Sequence, residues 1–196
     1  SMLESFLALE FTELTIIGSR LSQSRQQEAL VLETLLREYL ETLKLPALSF
    51  IFESTSLDER GIDRVEVSLG SSKMATLSGG EFNRVRLALM AVSINNKSES
   101  QGVLILDEID ANVSGDESIA IATMIAKLSS VYQIFAISHQ PHLSAKADQH
   151  IVVTKEGDSS KVEILNDEGR VEEIARIIGG ENPTSQALEF ARKIRT

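Results

Sequence analysis

A run of four apolar residues, Val103-Leu104-Ile105-Leu106, ends in two acids, Asp107-Glu108, and restricts the fold more than any other stretch of this sequence. It reads as a strand over Gly102–Leu106, buried on both faces. A helical stretch over about Ser114–Leu128 follows, and then a second buried strand over Val131–Ile137. Two strands joined by a helix-length crossover pair in parallel, because antiparallel neighbours need only a short turn. The expected class is therefore α/β. Around this unit lie two strand-like stretches, Ala47–Glu53 and the alternating Val65, Val67 and Leu69, with a turn over Asp58–Gly61 between them. A helix is expected from Ser78 to about Ile94, a hairpin over Ile151–Thr154 and Val162–Leu165, and closing helices over Val171–Ile178 and Thr184–Ile194.

From Leu3 to Leu43 apolar residues recur three and four apart, the period of a helix. Gly18 and Ser19 interrupt it, leaving either two helices or one long helix with a weak point; Pro46 ends it. A helix of about 40 residues is about 60 Å long, more than a compact domain of this size uses. Two readings stand side by side, a pair of surface helices or the returning arm of a coiled coil entering a globular head.

Composition narrows the function. The chain has 196 residues, no cysteine and a net charge of −10. Disulfides and thiolate metal sites are excluded, which fits a cytoplasmic protein, and a broadly basic nucleic-acid-binding surface is excluded too. No apolar run is long enough to span a bilayer. Ser1-Met2 reads as a leftover ahead of an internal start, so the chain is expected to be a segment of a longer protein.

Three places carry chemistry. Ser78 and Glu81 have the spacing of a capping box, and an ordinary helix cap accounts for both. The two glycines between them are not accounted for, since each costs about 0.5–1 kcal/mol against alanine in a helix. Glycines at a helix N-terminus suit close approach by an anion, for which the free N–H groups and the helix dipole provide a seat. Asp107 and Glu108 stand at the carboxyl end of a buried strand, where open α/β sheets bind ligands. One of them can hold Mg²⁺ through its water shell and the other can polarise an attacking water, although acids also end strands simply because the loop is solvated. His139 follows the next strand and lies where an imidazole can reach a terminal phosphate. His142 and His150 read as surface or turn residues. A phosphate-cradling Gly-x-x-x-x-Gly-Lys-Ser/Thr loop is nowhere in the sequence. The chain thus holds half of a nucleotide site.

Leu77-Ser78-Gly79-Gly80-Glu81 resembles the signature of ATP-binding-cassette (ABC) ATPases, Val103–Glu108 resembles their Walker B strand, and Ile137-Ser138-His139 is similar to their switch-histidine strand. The run Leu106–Gly115, Asp63-Arg64-Val65-Glu66 and Ile174–Gly180 resemble RecN, the SMC-like family of bacterial recombinational repair proteins. This resemblance implies the C-terminal lobe of an ABC-type head over residues 46–196, a mainly parallel sheet flanked by helices, with residues 1–45 as the end of a coiled-coil arm. It further implies that Ser78, Gly79, Gly80 and Glu81 bind the γ-phosphate of ATP held by a second head. Asp107 would support Mg²⁺, Glu108 would be the general base, His139 would sense the γ-phosphate, and Ser114 and Gly115 would occupy the loop that crosses the dimer interface. The implied function is an ATPase in repair of DNA double-strand breaks, with heads joining on ATP binding and parting on hydrolysis. Implied partners are the N-terminal lobe of the same protein, a second head and DNA, in the cytoplasm at the nucleoid. The fragment alone is expected to be inactive. Arg84, Arg86, Lys155 and Lys161 are candidate DNA contacts, or simply a solvated face. Two other readings are an ABC ATPase serving a transporter and a non-catalytic ATP-dependent scaffold.

Overall fold

A computed structural model of the chain describes residues 2–95, 102–110, 113 and 115–195. The chain divides into two compact units, Ser1–Val92 and Ser93–Thr196.

The first unit opens with one unbroken helix, α1 (Met2–Thr42). Gly18 does not weaken it. This residue is buried, and a Cβ there would sit 2.9 Å from Ile62 Cγ2, so glycine makes room for the neighbouring strand. The helix stops before Pro46. Lys44 takes φ 58 and donates to Glu41 O at 3.1 Å, while Leu45 N–H donates to Leu40 O at 2.9 Å. That bond pair is a Schellman stop, closed by the buried side chains of Leu40 and Leu45. β1 (Leu48–Asp58) and β2 (Gly61–Leu69) form the expected hairpin, and β3 (Ser72–Lys73) adds to β2. At its tip Arg60 N–H donates to Asp58 Oδ1 at 2.7 Å. The helix set apart in the sequence as residues 1–45 shares this unit with the hairpin. Arg25 bridges to the buried Asp63 of β2 at 2.6 Å, and Glu33 accepts from the Phe50 N–H of β1 at 2.7 Å. α2 (Gly79–Asn95) follows, burying Val85, Leu87 and Ala88.

In the second unit β4 (Gly102–Asp107) and β5 (Tyr132–Ile137) pair in parallel, and α3 (Asp116–Leu128) makes the crossover. The α/β lobe is therefore present. Among the described residues its parallel part is this one pair, and the other two sheets are antiparallel because their connections are short. A short helix, α4 (Pro141–Lys146), leads to the hairpin of β6 (Ile151–Glu156) and β7 (Ser159–Ile164). α5 (Asp167–Gly179), capped by Asn166, and α6 (Ser185–Arg195) close the chain. Their small residues interlock in a core of Ala145, Ile174, Ala175, Ala187 and Ala191.

One expectation needs correcting. β4 and β5 are not buried on both faces. Leu106 is 3% exposed, whereas Val103 is 57%, Ile105 73%, Phe135 46% and Ile137 59% exposed. Side chains alternate along a strand, so residues 103 and 105 lie on the face opposite Leu104 and Leu106. Among the described residues only the latter face is covered.

Candidate nucleotide site

The first half of the candidate site is the start of α2. Ser78 and Glu81 make the reciprocal box that their spacing predicts. The Ser78 N–H and hydroxyl both donate to Glu81 Oε2 at 2.9 Å, and the Glu81 N–H donates to Ser78 Oγ at 3.2 Å. The Ser78 backbone N–H, then its hydroxyl, hold the Glu81 carboxyl below its ordinary value. Phe82 N–H already bonds Ser78 O, at 2.9 Å. The N–H groups of Gly79 and Gly80 are thus the first-turn donors that neither the cap nor the helix uses. A Cβ on Gly79 would meet nothing within 4 Å. Crowding inside the chain does not require that glycine, and the space above it is open.

Arg84, one turn further, is not a surface residue. It is 6% exposed, and its guanidinium donates to Gly80 O at 3.3 Å and to Leu43 O at 3.0 Å. It ties the first turn of α2 to the end of α1, so it is removed from the candidate DNA contacts. Arg86 is exposed, and Lys161 pairs with Glu163 at 3.3 Å.

The second half lies in the other unit. Parallel pairing sets Asp107 beside Ile137, and Glu108 N–H continues the ladder to Ile137 O at 3.2 Å. Asp107, Glu108 and His139 therefore leave the same edge of the sheet, and all three are exposed. Glu108 has φ 47, a left-handed conformation that is unfavourable for a residue with a Cβ. Such an outlier at a strand end is a mark of functional sites. Gly115 caps α3 with φ 52 and ψ −124, a backbone that only glycine adopts easily. Ser114 lies outside the described residues.

A carboxylate oxygen exposed at the strand edge suits Mg²⁺, which takes one or two protein carboxylates and leaves its other positions to water and phosphate. The described residues contain no group of three His, Cys, Asp or Glu side chains able to cage a metal.

Other residues were missed in the sequence. Asp110, Ser138 and Gln140 link the two stretches that follow β4 and β5. The only trace of this was an acid at Asp110 between apolar Ile109 and Val113, both buried. His150 is half-buried rather than at the surface, and burial lowers its pKa. His142 stacks edge-on against Phe190, ring centres 6.3 Å apart.

The fold is shared with SMC head domains. The SMC head of Pyrococcus yayanosii, solved with part of its coiled coil, superposes with a TM-score of 0.61 over 91% of this chain and 34% of that one, at 22% identity. A structure reported for ATP-driven dimerization and DNA-stimulated activation of SMC ATPases gives a TM-score of 0.56 over 81% of this chain and 96% of that one, at 22% identity. By fold the chain is thus similar to part of an SMC-type head. No protein-family model matches it. In sequence it is 40% identical to the DNA repair protein RecN of Helicobacter pylori over 182 residues, 93% of this chain and 35% of that protein. It is 32% identical to RecN of Halalkalibacterium halodurans, over 98% of this chain and 37% of that protein. The chain belongs with the RecN proteins over the part of them that it spans, about a third of their length.

Proposed function

We propose that this chain is the C-terminal lobe, residues 46–196, of a RecN-like ATPase head, and that residues 1–45 are the end of its coiled-coil arm. The whole protein would act in recombinational repair of DNA double-strand breaks, in the cytoplasm at the nucleoid. Two heads sandwich two ATP molecules, and each site takes its acids from one head and its Ser78 helix from the other. The Gly79 and Gly80 N–H groups bind the γ-phosphate, Ser78 lies beside it, and Glu81 holds Ser78 in place. In the opposite head Glu108 takes a proton from the attacking water as the new P–O bond forms and the bond to the ADP oxygen breaks. His139 contacts the γ-phosphate, and Ser114 and Gly115 sit at the dimer contact. Mg²⁺, supported by Asp107, supplies charge neutralisation of the phosphates when bound.

One observation carries this reading. The capping box spends the Ser78 and Glu81 N–H groups and leaves those of the two glycines, with open space above the exposed Gly79. The ATP-driven dimerization named for an SMC relative supports the two-head scheme. The uncovered face of Val103, Ile105, Phe135 and Ile137 suits a missing N-terminal lobe, which would also bring the absent phosphate loop. DNA would be a further partner of the whole protein. No described helix is long and apolar enough to cross a membrane. In the full-length protein Glu108→Gln should slow ATP turnover by about 10²–10⁴-fold, the usual worth of a general base, and leave ATP binding intact. Steady-state turnover and nucleotide titration test it. Turnover at the parental rate would remove Glu108 from its role.

A further inference from the structure

Asp110 takes no part in the phosphate chemistry above, yet it is 1% exposed. Its Oδ2 accepts the Ser138 hydroxyl, and its Oδ1 is buried with no partner among the described residues. A carboxylate buried with so few hydrogen bonds is costly, and such a group needs an explanation beyond packing. Its place in the chain offers one. Asp110 lies two residues after Glu108, and Ser138 immediately precedes His139. Ser138 Oγ also accepts the Gln140 N–H at 2.9 Å, and Gln140 Nε2 donates to Val113 O at 3.2 Å. Beyond the bond from Glu108 N–H to Ile137 O the two stretches leave the sheet ladder, and among the described residues these side-chain bonds join them.

We propose that Asp110 and Ser138 act together as positioning residues, fixing the stretch that carries Glu108 to the stretch that carries His139 so that both side chains meet one γ-phosphate. The proposal rests on the ATPase reading of that edge. Neither residue touches nucleotide. The pair holds Glu108 in its left-handed conformation against the relaxation that an untethered loop would undergo.

The test uses the full-length protein and compares Ser138→Ala, Ser138→Thr, Asp110→Ala and the double alanine variant for kcat, KM for ATP and melting temperature. Ser138→Ala should lower kcat between about 10- and 100-fold, the scale of a misplaced reacting group, with KM little changed. Ser138→Thr, which keeps the hydroxyl, should restore it. The double variant should be no slower than the slower single one, because residues that act as a unit are lost together. Parental kcat in Ser138→Ala overturns the proposal. So does a loss that tracks melting temperature and is not recovered by threonine, and so do two effects that multiply. Glu108→Gln separates the layers. If it too turns over normally, the ATPase reading fails and takes this proposal with it. If it is slow while Ser138→Ala is not, only the role of the Asp110–Ser138 pair falls.

Discussion

Ser78 and Glu81 cap α2, and that structural role can be measured on the 196-residue chain itself. Ser78→Ala removes an N-cap acceptor and should cost about 0.5–2 kcal/mol, read as a lower denaturant midpoint at unchanged slope. The Glu81 carboxyl is held below its ordinary value of 4.5, first by the Ser78 N–H and then by the Ser78 hydroxyl. A carboxyl depressed by folding contributes its full stabilisation above the unfolded value and loses it as pH falls through the folded one. Helical signal in an acid titration should therefore decline below about pH 4.5 with a Glu81 component that Glu81→Gln lacks. His150 works the same way at higher pH. Burial chiefly, offset by Glu173, lowers its pKa from 6.5, so stability is full above that value and falls as protonation is forced on a buried ring. The melting temperature should drop as pH goes from 7 to below 6, and His150→Leu should flatten that drop. An equal slope in the variant would show that the acid sensitivity originates elsewhere. The sequence pattern gave the Ser78–Glu81 box outright because the box is local. Arg84 was misread because its partner, Leu43 O, is 41 residues away and no periodicity records a contact across that distance.

At the scale of elements, α1 shows where local rules fail. Alanine for glycine inside a helix normally stabilises by about 0.5–1 kcal/mol. At Gly18 the added Cβ would meet Ile62 Cγ2 at 2.9 Å, a branch atom that cannot swing clear. Overpacking of this kind costs about 1–3 kcal/mol, so Gly18→Ala should lower the denaturant midpoint despite better helix propensity. A raised midpoint would mean that α1 does not pack on β2 as described. The hairpin β1–β2, the β4–α3–β5 crossover and the two closing helices were legible because each follows from a run of apolar residues at one period. α4 was not, because six residues opening with Pro141 carry too little periodicity. The half-covered state of β4 was not either. Burial on a second face depends on what lies against it, and four apolar residues in a row say only that both faces are apolar.

At the scale of the whole molecule, the chain carries the acids and the histidine at one strand edge and unspent glycine N–H groups at one helix start, without a phosphate loop in its sequence. It should therefore show no ATP turnover alone. Turnover by the isolated chain above a no-enzyme blank would contradict the division of the site between lobes. The central claim is that the N–H groups opening the Ser78 helix seat the γ-phosphate of ATP held on another head. The most direct measurement is the mass of the full-length protein in solution with ATP, by sedimentation, in a Glu108→Gln background that holds ATP. With Ser78 intact, ATP should shift the protein from the mass of one head-bearing chain to that of two. In Ser78→Arg, whose side chain would fill the phosphate seat, the shift should vanish while ATP still binds. If the ATP-dependent mass increase survives Ser78→Arg undiminished, the helix start does not seat the phosphate.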